Sequence, residues 1–174
     1  DSMFTIPQRW AENSLILPLI LLLYHYTFKK KVKLNQFLPL VSIAFLYIVL
    51  RITLLHDVLP QASATSTVVQ RIPGFFVAIT NYLKLLIYPF PLHMEYGNKL
   101  FSLFDVRAIV GAAIFFSLLL YGLRIRNKNR LVFFSLSWFL IMLLPQANLY
   151  PLNAYMAEHW LYLASVGFFL ILAY

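Results

Sequence analysis

The side chains able to do chemistry gather in short stretches that border apolar runs. Glu158 and His159 stand directly before the apolar run that begins at Trp160. Because helix N-termini favour anions, including phosphate, a helix starting here predicts an anion site that a neighbouring imidazole strengthens. His93 and Glu95 alternate after two prolines, which places both on one side if the segment is extended. Such a pair can bind a divalent metal or transfer a proton, although the bare pattern is not specific for a metal.

Two further stretches contribute candidate residues. Glu12 precedes an apolar run, with Arg9 three residues before it as a partner for an ion pair. Arg71 precedes the apolar stretch 72–90 and is another candidate cation. Polar groups near hydrocarbon are expensive and commonly line functional sites. The alternative for each is a solvated loop residue, and for Glu12 stabilisation of a helix N-terminus.

Composition and charge indicate which elements must position these residues. The chain is 61% hydrophobic and 11% charged, outside the usual range for soluble domains. Eight of the 14 basic residues lie in segments 29–33 and 124–130, which contain no acid. Basic loops between apolar runs are typical of the cytoplasmic side of membrane proteins. The +8 net charge therefore predicts a topology and a lipid-bilayer partner, and nucleic acid is not an expected partner.

Five apolar runs are candidates for membrane spans. They are residues 8–28, 37–55, 106–123, 131–144 and the run that follows residue 160. We predict an all-α, polytopic membrane helix bundle of about five spanning helices, forming a single domain over residues 1–174. The chain starts at Asp1, and its last run is shorter than the ~20 residues needed to span. We therefore expect a fragment truncated at both ends.

The apolar stretch 72–90 has a different pattern. Asn81, Lys84 and Tyr88 recur on one helical face. A charged stripe at the centre of a span costs a few kcal/mol, whereas a helix lying in the interface tolerates it. Pro73 suits a first turn and Pro89 a stop. We predict an outer-face interfacial or re-entrant helix within an outer loop 56–105. The alternative is a further span, which would break the positive-inside parity.

The residues by themselves do not identify the reaction. The chain has no cysteine, and it contains no phosphate-binding loop, dinucleotide fingerprint, nucleophile elbow or zinc signature. No cofactor is required by any motif, and a divalent metal rests only on the histidine–glutamate pair. A polar outer-face pocket beside an interfacial helix fits a lipid-linked substrate, but it also fits a transporter vestibule.

Three stretches resemble the membrane module of GT-C class glycosyltransferases that use polyprenyl-phosphate sugars. The resemblance is strongest to the transmembrane-and-tetratricopeptide-repeat O-mannosyltransferases and their bacterial relatives. It covers the chain from about residue 10 to its end. The matching residues are Trp10-Ala11-Glu12 before Leu17-Pro18; Asn81-Tyr82-Leu83 through Pro89-Phe90-Pro91-Leu92; and Pro145-Gln146-Ala147-Asn148-Leu149 followed by Ala157-Glu158-His159-Trp160-Leu161-Tyr162-Leu163-Ala164-Ser165-Val166-Gly167.

The resemblance implies a transferase that moves a sugar from a polyprenyl-phosphate donor to a protein or glycan acceptor. It implies a multi-pass protein of a prokaryotic cytoplasmic membrane, with the site on the outer face. The family's catalytic carboxylates lie in an earlier loop, expected upstream of Asp1, and the family's lysine before Glu12 is Ala11 here. Donor-binding candidates are Glu158, His159, Glu12, His93, Glu95, Arg71 and Arg9. A transporter or lipid flippase and a non-catalytic membrane scaffold are the alternatives.

Overall fold

A computed structural model describes residues 16–29, 34–53, 67–90, 92–93, 95–97, 99–145 and 154–174. This part of the chain is all-helical, as predicted. Two of the candidate site residues, Arg9 and Glu12, lie outside the described residues, as do residues 8–15 of the run 8–28 and most of the basic segment 29–33. The chain divides into two compact units, residues 1–61 and residues 62–174.

The described residues of the first unit form two helices, α1 (Leu17–Phe28) and α2 (Leu34–Thr53). A proline, Pro18, occupies the first turn of α1, where its missing N–H has no helical partner to lose. The helix ends at Phe28 and is capped by Lys29, whose φ of 50° is left-handed and whose N–H donates to the His25 carbonyl. The helix α1 falls within the predicted apolar run 8–28, whereas α2 begins three residues before the predicted run 37–55 and ends inside it.

Where the structure describes it, the second unit contains four helices and one short turn, and it holds the candidate site. They are α3 (Val68–Ile87), α4 (Val106–Ile125), α5 (Arg130–Leu143), a 3₁₀ turn (Glu158–Trp160) and α6 (Leu161–Leu172). Each helix packs against the next one along the chain. Side chains cap two of them: Asp105 accepts from the Arg107 N–H at the start of α4, and Asn129 accepts from the Val132 N–H at the start of α5.

Two glycines allow helices in this unit to approach closely. A Cβ at Gly111 of α4 would overlap the backbone carbonyl of Phe76 in α3. A Cβ at Gly167 of α6 would overlap the backbone of α5 at Ser135. Small residues at such crossings are typical of helix packing in membranes, where close backbone contact replaces the hydrophobic effect. A hydrogen bond from the Trp138 indole to the carbonyl of residue 163, 2.8 Å long, also joins α5 and α6.

The start of α3 differs from the prediction. The helix begins at Val68, four residues before the predicted start at residue 72, and it ends at Ile87, shortly before Pro89. The Thr67 N–H donates to the Gln70 side chain over 3.0 Å, which completes a capping box and starts the helix early. Pro73 is consequently inside the helix, and its predicted place in the first turn is wrong.

The direction of α3 follows from its contacts with α4. The ring of Phe76 packs against the ring of Phe115, at 6.0 Å between centroids. Thr80, further along α3, lies beside Gly111, which is earlier in α4. The two helices are therefore antiparallel. Two helices packed along each other have similar tilts relative to the bilayer normal. If α4 crosses a bilayer, these contacts therefore favour an α3 that is closer to the normal than to the membrane plane. The surface-parallel orientation of α3 stays a prediction.

Among the described helices, α4 is long and apolar enough to cross a membrane. Its buried residues are small, namely Ala108, Gly111 and Gly122, while large apolar side chains such as Val106 (71% exposed) and Leu120 (54%) face outward. A soluble protein buries its large apolar residues and exposes few contiguous ones, and exposed apolar faces of this kind are typical of helices that contact lipid or a protein partner. The bundle of about five spans remains a prediction.

Candidate functional site

The candidate site is built on a pairing between two irregular segments that are distant in sequence. Glu95 and Ala157 form an isolated antiparallel bridge. The pairing continues on one side of this bridge, where the Tyr96 N–H donates to the Met156 carbonyl over 3.1 Å and the Tyr155 N–H donates to the Gly97 carbonyl over 3.0 Å. This pairing satisfies buried backbone groups that no helix accommodates. It places Glu95 and the residue before Glu158 side by side.

A buried tyrosine of α3 holds the second segment in place. The Tyr82 hydroxyl donates to the Ala157 carbonyl at 3.1 Å and accepts from the Ala157 N–H at 3.3 Å. The side chain is 2% exposed, so both hydrogen bonds are shielded from water. Ala157 is itself fully buried. Tyr82 therefore fixes the backbone immediately before the Glu158–Trp160 turn.

Tyr155 adds a second contact to α3. Its side chain hydrogen-bonds with Asn81, and its ring packs against Phe101 with a centroid separation of 5.0 Å. Burial raises the pKa of the Tyr155 hydroxyl, while Arg107 and the Asn81 hydrogen bond oppose that rise. The neutral hydroxyl is thus the form present near neutral pH. Asn81 and Tyr82 together attach residues 155–157 to consecutive positions of one helix.

Glu158 joins the turn to the segment before α4. Its Oε1 accepts a hydrogen bond from the His93 N–H at 2.5 Å and another from the Tyr96 hydroxyl at 3.1 Å. Desolvation raises the pKa of Tyr96, and the hydrogen bond and negative charge of Glu158 raise it further. The His93 ring packs edge-to-face on the Tyr96 ring, 5.5 Å between centroids. Hydrogen bonds to a carboxylate are stronger than neutral ones, so Glu158 has a defined orientation.

A groove of about 410 Å³ runs beside this carboxylate. We call it the Glu158 groove. Its volume lies in the range of small-molecule sites. Its floor and walls are apolar and come from the end of α3, the segment after it, and α6; they are Leu85, Leu86, Pro89, Leu92, Leu161 and Phe169. Its polar lining residues are Glu158, His159, Tyr162 and Ser165. An elongated apolar ligand with one polar end fits this arrangement.

The predicted site residues divide into three groups. Glu158 and His159 line the groove, and His93 and Glu95 belong to the segment that pairs beside it. Arg71 is elsewhere, because the helical rise separates it from Tyr82 by about 16 Å along α3. Arg71 is 7% exposed, and its Nε lies 3.4 Å from the Thr67 carbonyl at the start of that helix.

The sequence predicts that Glu158 stands at the start of an apolar helix, but its carboxylate makes contacts with a different segment. α6 itself begins at Leu161, after the 3₁₀ turn, and the Glu158 carboxylate accepts from a distant N–H and a phenol. His93 contributes its backbone N–H to this contact. Among the described residues, no three histidine or acidic side chains are close enough to hold a metal.

Three tyrosines were missed by reasoning from residue types. Tyr82, Tyr96 and Tyr155 carry the hydrogen bonds that shape the site. Two of them stand in stretches singled out in the sequence: Tyr82 follows Asn81 in the second family-like stretch, and Tyr96 follows the His93–Glu95 pair. Their partners are far away in sequence, so the spacing gave no sign of the contacts.

Comparison of the chain with family models, with curated proteins and with solved structures finds no match. The assignment of function therefore depends on the geometry of the site together with the motifs.

Proposed function

We propose that this chain belongs to a membrane glycosyltransferase that moves a sugar from a polyprenyl-phosphate donor to a protein or glycan acceptor. The Glu158 groove is the observation that carries the proposal. It combines apolar walls with a carboxylate and an imidazole, and it lies at the start of the apolar helix α6. A lipid-linked sugar has the same division between an apolar chain and a polar head.

The membrane setting of the proposal draws on two observations. Helix α4 is long and apolar enough to cross a bilayer, and its large side chains face outward. The loop after it, residues 126–129, belongs to a basic segment without acids. We propose a multi-pass protein of a prokaryotic cytoplasmic membrane, with this loop inside and the Glu158 groove at the outer face.

The chemistry of such a transfer defines what the groove must supply. The acceptor oxygen attacks the anomeric carbon while the bond from that carbon to the phosphate oxygen breaks. The acceptor's proton goes to a carboxylate base, and the phosphate leaves with the electron pair of the broken bond. His159 is the groove residue suited to stabilise the departing phosphate, because a donor or cation there acts where negative charge develops. Glu158 positions the donor.

Photo-crosslinking of the chain in lipid nanodiscs tests the proposal. The probe is a polyprenyl-phosphate sugar whose chain carries a diazirine near the phosphate. We expect labelling of the groove wall at Leu86 and Leu161, competed by unlabelled donor and not by free sugar. Ser165→Trp should block the labelling because it fills the groove. The control Leu120→Trp, on the exposed face of α4, should leave it intact.

Two results would contradict the proposal. One is labelling spread over exposed apolar faces without competition by the donor, which would describe solvation by lipid. The other is labelling that survives Ser165→Trp. Movement of a lipid-linked sugar across the bilayer by the chain, without transfer to an acceptor, would instead support the flippase alternative.

A further inference from the structure

The fixed charge that faces the Glu158 groove is negative. Among the described residues that line the groove, Glu158 is the one carboxylate, and none is a lysine or an arginine. The Ser165 hydroxyl donates to the Tyr162 carbonyl within α6, so its proton is already used in a hydrogen bond within the protein. An anionic group placed beside Glu158 would be repelled at short range. Hydroxyl groups, which donate hydrogen bonds, would be attracted.

The Glu158 carboxylate is also held ready to accept. Its Oε1 receives both internal hydrogen bonds, from His93 and from Tyr96, whereas its Oε2 forms none with the described residues. An ionised carboxylate is an acceptor only, with about two lone-pair directions on each oxygen. Because these hydrogen bonds already restrain the Glu158 side chain, that side chain loses little further conformational freedom when a ligand binds Oε2. The side chain is half-buried at the groove wall, within reach of a ligand.

We infer that Oε2 of Glu158 accepts hydrogen bonds from hydroxyls in the head group of an amphiphile whose apolar chain lies along Leu86 and Leu161. The inference rests on the proposed function, in which the sugar of the lipid-linked donor supplies these hydroxyls. It modifies the prediction that Glu158 and His159 both line the phosphate end. Glu158 binds the sugar, and the phosphate lies away from Glu158, on the side of His159.

Binding of two simple amphiphiles tests this assignment without any sugar transfer. The chain in phosphatidylcholine nanodiscs is titrated with octyl glucoside and with octyl phosphate, each below its micelle concentration, and the dissociation constants are measured. Glu158→Gln should weaken octyl glucoside about tenfold, because a hydrogen bond to a charged acceptor is replaced by one to an amide. Octyl phosphate should bind unchanged or more tightly, because a negative charge is removed.

A matched variant separates the carboxylate from the shape of the groove. Tyr96→Phe removes one hydrogen bond from Oε1 but keeps the charge, so it should affect octyl glucoside less than Glu158→Gln does. Saturation-transfer NMR on the wild-type chain provides a measurement that depends on no variant. The glucose-ring protons should receive saturation from the protein together with the octyl chain.

Three outcomes would overturn the inference: octyl glucoside unaffected by Glu158→Gln, both amphiphiles weakened equally, or saturation confined to the octyl chain. Failure of the proposed function looks different. In that case octyl glucoside would show the expected dependence on Glu158, while the polyprenyl-phosphate donor would give no competed labelling of the groove.

Discussion

Replacing Tyr82 by phenylalanine removes one hydroxyl and keeps the buried ring. Two hydrogen bonds to Ala157 are lost, of 3.1 and 3.3 Å. The Ala157 carbonyl retains the N–H of Trp160 at 3.2 Å, so it keeps a partner. The Ala157 N–H is left buried without one. An unsatisfied buried backbone group costs about 1–3 kcal/mol, and we expect Tyr82→Phe to reduce the free energy of unfolding by about 2 kcal/mol.

Tyr155→Phe is the matched control, because it makes the same chemical change in a residue that also bonds to α3. The lost partner is the Asn81 side chain, which is partly exposed and can bond to water. The aromatic contact with Phe101 is kept. The net value of such a hydrogen bond is about 1 kcal/mol, so this variant should lose about half as much stability as Tyr82→Phe.

Reversible unfolding of the chain in mixed micelles, followed by circular dichroism, measures both differences. Hydrogen exchange of peptides covering residues 154–160 locates the effect, since local opening exposes amides that the native contacts protect. The reasoning is refuted if Tyr82→Phe loses no more stability than Tyr155→Phe, or if exchange near Ala157 is unchanged.

Two further predictions concern packing and topology. Gly111→Ala and Gly167→Ala should each destabilise the chain by about 1–3 kcal/mol, because the added methyl overlaps the backbone of a neighbouring helix. Gly122→Ala, whose Cβ would have ordinary contacts at 3.9 Å, should be nearly neutral in the same unfolding assay, and equal effects at all three positions would contradict the packing argument. Asn127→Cys should resist labelling by a membrane-impermeant maleimide in intact cells, because the basic segment 124–130 is predicted to be cytoplasmic. It should react after the cells are permeabilised. Strong labelling from outside would contradict the predicted topology.

Local sequence patterns determined the all-helical class and most helix boundaries. The apolar runs 106–123 and 131–144 anticipated α4 and α5 to within two residues at each end. A helix forms from contacts three and four residues apart, so apolar runs and the residues that interrupt them contain most of the information. The late predicted start of α3 has the same kind of explanation. The signal for the earlier start, Thr67 followed by Gln70, lies in the local sequence.

Sequence also predicted Glu158 and His159 as site residues, since a polar pair beside an apolar run is informative without any fold, and both residues line the Glu158 groove. The tertiary structure alone decided what Glu158 contacts. Its hydrogen-bond donors lie 65 and 62 residues away, and Tyr82 reaches Ala157 across 75 residues. No periodicity connects positions that far apart. Only the tertiary packing of the second unit, together with the need of buried backbone groups for partners, brings His93 and residues 95–97 against residues 155–158. That pairing orients the Glu158 carboxylate and places it beside the apolar groove.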